Sequence, residues 1–303
     1  MSAAAANILN NARGAGSGRR RRWKPARDAA WALLEDVVFD GASVAVAGAG
    51  NGDDLPLRRL AARAGALDLI DLDPDALGRA VARAGGSARA VVEDVTAGAA
   101  DAIVAAALGD AEEEAARAAA TPAGEARPAG DPPAAAPLGA GAYDVVVADL
   151  VLTQLLYPAL KAAGTLSGRE VDAVLLRDGQ PLTDAVVARL HASAPVVVIL
   201  HDLLGWWKGH QQPFSLASLL RAGPDEARKL AKAGSVPYGC DPWVATRGAG
   251  AHVLQQRHWR WPFAAGADYL VFGLVTSRRD RDPAARPPTA APPGRPPRAP
   301  RPR

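Results

Sequence analysis

One cysteine, Cys240, stands alone among 303 residues, so the chain has no disulfide framework and no thiolate cluster for a metal. Long hydrophobic runs are missing too. The longest, such as Val196–Leu200, have the length of a strand, which excludes a membrane-spanning helix. Met1–Asn11 is mostly Ala and Asn and lacks the apolar stretch of a secretory signal. No acid appears before Asp28 and arginine is frequent, which fits a disordered basic arm better than a transit peptide. A reducing cytoplasm is the expected setting. The histidines include no close pair at the i, i+4 spacing of a helical metal site, so no metal is expected.

What is present is a large apolar fraction, 49%, ample for an α/β core. The net charge of +3 conceals an asymmetry. Residues 1–24 hold six basic side chains (Arg13, Arg19, Arg20, Arg21, Arg22, Lys24) and no acid. Residues 277–303 hold eight arginines against Asp280 and Asp282, which leaves residues 25–276 at −9. The isoelectric point near 9.2 therefore belongs to the two ends. The folded part is acidic.

Three segments have compositions that cannot bury a core. Residues 1–22 are read as a disordered basic arm and residues 280–303 as a disordered Pro/Arg-rich tail. Between them, 23–279 is read as one domain, interrupted over 108–142 by a low-complexity insertion of Ala, Gly, Pro and Glu. Glu112–Glu114 are placed on a short helix there, and Pro122–Pro137 in a mobile loop. Elsewhere strand and helix alternate. Strands are predicted at Ser43–Ala47, Leu67–Asp71, Ala88–Asp94, Tyr143–Asp149 and Pro195–Leu200, with helices over Asp54–Ala64, from Pro74 onward and over Thr183–Ala192. Such alternation implies a mainly parallel sheet with helices on both faces. The last two strands, near Ala251–Trp259 and Tyr269–Thr276, are separated by a short Pro/Gly connection and are expected to be antiparallel.

In such a fold, chemistry belongs at the carboxyl ends of the strands, where strand order reverses. The first strand ends in Gly48-Ala49-Gly50-Asn51-Gly52-Asp53-Asp54. Alternate glycines allow a tight turn and close approach of a ligand to the backbone. The spacing is not that of the dinucleotide fingerprint, whose third glycine would fall at Asp53. Asp71 follows Gly52 by 19 residues, at the end of the second strand. An acid about 20 residues after the glycines can accept hydrogen bonds from ribose hydroxyls. Asp73, just before Pro74, reads instead as a helix cap. At the end of the third strand, Glu93-Asp94-Val95 offers a carboxylate to an adenine amino group; a solvated strand end would look the same.

Taken in this order and spacing, the three features resemble the class I S-adenosylmethionine-dependent methyltransferases over roughly residues 40–276. The resemblance implies a doubly wound, mostly parallel seven-stranded sheet of order 3-2-1-4-5-7-6 and S-adenosyl-L-methionine as cofactor. It implies that Gly48, Ala49, Gly50, Asn51 and Gly52 wrap the methionine portion, that Asp71 and the adjacent Leu72 meet the ribose, and that Asp94 and Val95 meet the adenine. The segment Tyr143–Leu150, with Asp149, looks like the family's stretch beside the transferable methyl. Trp259-Arg260-Trp261-Pro262 and Tyr269-Leu270-Val271-Phe272 are similar to its last antiparallel pair. One position departs. The family usually places an acid two residues before the first glycine, where it helps hold the cofactor's amino group, and here that residue is Val46, with Asn51, Asp53 and Asp149 as candidate replacements.

The acceptor side is less specified. His201 follows the fifth strand and, with an ordinary pKa near ~6.5, is a candidate base, although histidines at strand ends are more often structural. Asp202, Trp206 and Trp207 are candidates for the acceptor pocket, with His210 and Trp243 nearby in sequence. The Asn-Pro-Pro-aromatic motif of many amino-methylating members is absent, since Asp149-Leu150-Val151-Leu152 stands there. The leading expectation is methyl transfer by alignment to a small-molecule acceptor. Three alternatives stand beside it. They are a non-catalytic interaction module of the same fold, a nucleic-acid-binding or RNA-modifying protein using its arginine-rich arms, and, more distantly, a nicotinamide oxidoreductase.

Overall fold

Short apolar segments such as Ser43–Ala47, stopped by glycine, and Val145–Asp149, closed by aspartate, form strands, and a computed structural model describes residues 2–14, 17–118, 136–232 and 240–278, with seven strands among them. The first elements are helices: α1 (Ala3–Arg13), α2 (Ser17–Arg22) and α3 (Lys24–Leu34). Then come β1 (Ser43–Ala47), α4 (Leu57–Arg63), β2 (Ala66–Asp71), α5 (Pro74–Ala84), β3 (Arg89–Val92) and α6 (Ala99–Ala118). β4 (Val145–Asp149) leads through a short 3-10 turn at Leu152–Gln154 to α7 (Tyr157–Ala163) and the long α8 (Gly168–Ser193). The remainder is β5 (Val196–Trp206), α9 (Leu216–Arg221), α10 (Pro224–Ala231), α11 (Pro242–Gly248), β6 (Ala251–Ala264) and β7 (Ala267–Arg278).

The strands form one sheet of order β3-β2-β1-β4-β5-β7-β6. β1 pairs in parallel with β2 and β4, and β4 with β5, while β7 runs antiparallel to both β5 and β6. Order reverses between β1 and β4, and a crevice opens there at the strands' carboxyl ends. Successive residues of β1 belong to different apolar clusters. Ala45 and Ala47 join one that includes Leu160 of α7 and Leu190 of α8; Val44 and Val46 join another that includes Leu33 of α3, Leu60 of α4 and Leu77 of α5.

The disordered arm expected over residues 1–22 is not what the structure shows. Ser2 accepts from the Ala5 N–H at 3.1 Å and starts α1, while Asp101 of α6 reaches across to accept from the Ala3 N–H at 2.6 Å. Ala3 and Ala6 are buried in the core, so a stretch poor in large apolar residues packs through alanine itself. Trp23 is buried too, edge-on to Trp261 at 4.8 Å. The domain boundary expected at residue 23 therefore does not hold.

The segment 108–142 is structured at both margins. α6 runs to Ala118, over Glu112–Glu114, and at the far end Leu138 is fully buried with its N–H donating to Ser193 Oγ at 2.7 Å. Residues 119–135 and the Pro/Arg-rich tail lie outside the described residues.

Candidate functional site

β1 turns sharply because the N–H groups of Gly48 and Ala49 both donate to Ile70 O of β2, at 2.9 and 3.1 Å. The three loop glycines have φ of +75°, +47° and +64°, a left-handed region that side chains with a Cβ rarely adopt. Their reasons differ. A Cβ on Gly48 would lie 2.8 Å from Val151 Cβ, and one on Gly52 2.3 Å from Leu57 Cδ1. Those two are required by the protein's own packing. At Gly50 the nearest atom is Asn11 Oδ1 at 3.3 Å, so its face is turned to α1 and the crevice.

The crevice is a cavity of about 430 Å³ lined by the loop, Asp71, Leu72, Asp94, Val95 and Asp149. The cofactor residues expected from the sequence are thus brought together, save Gly52, which supports the turn from behind. Asp71 spans the strand end. Its Oδ2 accepts from the Gly50 N–H at 2.8 Å and its Oδ1 from the Asp73 N–H at 3.0 Å. Burial pushes its pKa up, against the pull of those two bonds. Asp73 accepts from the N–H groups of Asp75 and Ala76 as the cap of α5, leaving the cavity to Asp71. Asp94 is more committed than expected. Its carboxylate closes its own turn, accepting from the N–H groups of Thr96 at 2.8 Å and Gly98 at 2.6 Å, so beside the cavity it serves first as a turn-former. Val46 is fully buried in the α3–α5 cluster and does not border the cavity.

Residues absent from the expectation complete the wall. Asn11 of α1 donates to Asp71 Oδ1 at 3.4 Å and accepts through its carbonyl from Asn51 Nδ2 at 2.8 Å. Arg19 pairs with Asp53 at 3.3 Å and lies over the Trp23 ring at 4.5 Å. Behind the wall, Arg83 pairs with the other Asp53 oxygen at 2.9 Å without itself bordering the cavity. One signal for α1 was legible: Ser2 before four alanines is a capped helix start. Asp54, expected at the head of a helix, instead lines the cavity, because α4 begins only at Leu57.

At the end of β4 the backbone is unusual. Leu150 has φ +53°, a conformation that costs a non-glycine residue roughly 1 kcal/mol or more. Asp149 just before it is 4% exposed, and burial together with the charges of Asp54 and Asp71 raises its pKa well above the ordinary carboxyl range.

A second cavity, about 900 Å³, shares Asn10, Arg13 and Gln154 with the first. Asp202, Trp207, Tyr157 and Tyr269 stand around it. Asp149 pairs with Leu200 in the sheet, so Asp202 lies two residues beyond it along β5. Asp202 Oδ1 accepts from Thr153 Oγ at 2.6 Å, and burial raises the carboxyl to about 7. A carboxyl poised there can hold or release a proton at neutral pH. Trp207 stacks on His210 at 4.0 Å.

Two expectations fail here. His201 is wholly buried, borders neither of these cavities, and has no hydrogen-bond partner on either ring nitrogen. Burial drives it down to about 4, so it is a neutral core side chain and not a base facing an acceptor. Alternation along β5 sends its neighbour Asp202 to the cavity instead. Trp206 is also turned away. Its indole N–H donates to Phe214 O at 3.2 Å, and it borders neither cavity.

No helix among the described residues is long and apolar enough to cross a membrane, and no group of three or more metal-ligating side chains occurs among them. No protein-family model and no curated protein matches this sequence. Solved structures do resemble it. An N-methyltransferase, NodS, from Bradyrhizobium japonicum in complex with S-adenosyl-L-homocysteine is 13% identical with a TM-score of 0.42, covering 88% of this chain and 97% of that one. A SAM-dependent methyltransferase from Aquifex aeolicus is 13% identical with a TM-score of 0.41, covering 89% and 98%. A Burkholderia thailandensis 1,6-didemethyltoxoflavin-N1-methyltransferase is 16% identical with a TM-score of 0.37, covering 84% and 78%. Likenesses this distant assign no function, and the sheet order and site of this chain must carry the reading.

Proposed function

We propose that this chain is an S-adenosyl-L-methionine-dependent methyltransferase acting on a small-molecule acceptor. The single observation that carries the reading is a pair of adjoining cavities at the carboxyl edge of the sheet, one walled by a glycine turn and strand-end aspartates, the other wider and bordered by Trp207, Tyr157 and Tyr269, with a common wall. The two apolar clusters support a reading with helices on both faces of the sheet, which leaves its carboxyl edge as the open ground.

In the first cavity the Gly48–Asn51 backbone, with Gly52 behind it, takes the methionine portion. Asp71 accepts from the ribose hydroxyls in place of Asn11, and Leu72 and Val95 flank the adenosine, with Asp94 shaping the turn. When bound, the cofactor supplies an electrophilic methyl. The protein's task is then to align the acceptor and exclude water, a task for Gln154 and, on α1, Asn10 and Arg13 at the shared wall. In the second cavity Trp207, Tyr157 and Tyr269 flank a planar acceptor, and Asp202, held by Thr153, can take up its proton.

Calorimetric titration of the full chain with S-adenosylhomocysteine tests the reading. Saturable one-to-one binding is expected. No saturable heat would overturn it in favour of a methyltransferase-fold module that has lost its ligand. The nucleic-acid reading draws less support, since Arg19 is paired with Asp53 and Arg22 reaches the Phe263 carbonyl at 3.5 Å.

A further inference from the structure

Two cations border the second cavity without an ion-pair partner. Arg13 ends α1 and Lys161 lies on α7, and the two helices share one apolar cluster through Ala6 and Leu160. Among the described residues neither forms an ion pair, and the Lys161 ammonium donates to a neutral group, the Tyr157 hydroxyl, at 3.0 Å. Two acids border the same cavity. Asp172 is exposed on α8 and pairs with neither cation. Asp202 is buried on β5, with Oδ1 committed to Thr153. The charges are thus sorted, with exposed cations on two helices and a buried acid on a strand. The cavity also has flat walls. A Cβ at Gly205 would lie 2.4 Å from Trp207 Cζ3 and 2.9 Å from Tyr269 Cε1, so glycine there lets both rings lie against the strand. The rings meet at 34° with centroids 6.0 Å apart. Backbone bonds to and from His210, at 3.1 and 3.0 Å, pin Trp207, yet its side chain stays 38% exposed. A preformed aromatic corner with an open face suits a rigid planar ring.

We propose that the acceptor is a planar organic acid whose anionic group is held by Arg13 and Lys161, whose ring lies in the Trp207–Tyr269 corner, and whose proton-bearing oxygen or nitrogen faces Asp202. This rests on the methyltransferase reading above and names the substrate class it leaves open. The sign of charge makes the selection. An anion pairs with both cations, a neutral acceptor gains nothing from them, and a cationic one is repelled. Asp172 sits in solvent, where salt screens its opposing charge. The reacting end must be neutral, since a heteroatom needs a lone pair to attack, and a buried carboxylate is the group to take its proton. The balance closes within the two ligands and Asp202. A bond forms between the acceptor heteroatom and the methyl carbon as the methyl–sulfur bond breaks. The electron pair of that bond stays on sulfur, which becomes a neutral thioether. The heteroatom's proton passes to the Asp202 carboxylate and from there to solvent.

The test uses the full chain saturated with S-adenosylhomocysteine and probes matched except in charge. They are 4-hydroxybenzoate, neutral 4-hydroxybenzamide and cationic 4-hydroxybenzylamine, with 4-hydroxycinnamate and its amide as a longer pair. Ligand-observed NMR titrations at fixed ionic strength read each affinity. At least one acid is expected to bind about 5-fold or more tighter than its amide, with the amine weakest. Lys161→Glu should weaken that acid about 3–10-fold, leave the amide within about 2-fold and strengthen the amine. Arg13→Gln should weaken the acid by a similar factor. Both side chains are exposed, and thermal melting checks that each variant folds. Amides that bind as tightly as their acids would overturn the proposal. So would a preference for acid that survives both substitutions together, or a wild-type preference for the amine. Failure of every acid to bind a chain that does bind S-adenosylhomocysteine would overturn the substrate class and leave the cofactor reading standing. A chain that does not bind S-adenosylhomocysteine at all would overturn both.

Discussion

The two cavities are built by opposite means. Both draw on α1 and on the last two strands, but the first adds a glycine turn and aspartates that each close a strand, whereas the second has no such turn. Apart from α1, the second is made of side chains sent from α7, α8, β5 and β7. A site made of local turns writes itself as a motif, whereas one assembled by long-range packing leaves only scattered residues. What the molecule binds is therefore easier to read than what it acts on.

The sharpest way to break that contrast is Asp71→Ala. Removing two charge-assisted bonds to ribose, partly recovered by water, should cost about 2–4 kcal/mol of S-adenosylhomocysteine affinity, or ~30–1000-fold. The second cavity should be indifferent, with the Asp202 infrared carboxyl band unmoved. A shifted Asp202 band would show that the cavities are one coupled site.

Next in size is a pH effect on the residue that the second cavity excludes. His201 and His191 are both held down to about 4 by burial, below their ordinary 6.5. Their depressed values contribute stability that is present above pH 6.5 and lost as pH falls toward 4. For His201, the drop from 6.5 to about 4 corresponds to roughly 3 kcal/mol. His201→Leu should remove that share of the acid sensitivity in melting curves between pH 7 and 4.5. An unchanged acid slope would mean that the ring reaches water after all.

Deleting residues 1–22 tests the wall common to both cavities. The loss of buried Ala3 and Ala6, the Asp101 cap and the Arg19–Asp53 pair should lower stability by about 1–3 kcal/mol. An unchanged melting temperature would return these residues to the status of a loose arm.

The smallest expected effect is at Thr153. Its hydroxyl bond favours the charged Asp202, so Thr153→Val should push that carboxyl above about 7, by less than roughly one pH unit. Infrared titration reads the change. A downward shift would contradict the assigned donor.

Much of the first cavity was legible because its turn and strand-end residues answer to local rules. Ser43–Ala47 is an apolar run stopped by glycine, Pro74 marks a helix start, and the division between Asp71 in the cavity and Asp73 at the cap follows from position relative to that proline. The strand order followed from the family resemblance that these features carry. Three things were hidden for physical reasons. Alanine at positions 3 and 6 reads as low complexity, yet it packs closely where two helices approach. His201 and Asp202 are adjacent, and which one faces the cavity depends on the parity of a strand whose pairing shifts between Asp202 and Leu204. Asp54 carries the apolar spacing of a helix after it, but Pro56 delays the helix to Leu57 and leaves the acid in the loop.

The raised carboxyls also change what the charge count means. Residues 25–276 carry −9 only if every aspartate is ionised. Asp149 is held well above the ordinary carboxyl range and Asp202 sits at about 7, while His191 and His201, at about 4, are neutral at pH 7. The native domain is thus less acidic than its formula, and unfolding at neutral pH sets protons free. Because Asp202 sits at about 7 when folded and in the ordinary carboxyl range when unfolded, its contribution to stability is full only in acid and is lost as pH climbs to about 7. The histidines' contribution wanes in the other direction, below 6.5. Between about pH 4 and 6.5 the two slopes oppose each other, so the raised carboxyl offsets part of the acid sensitivity that the histidines alone would give.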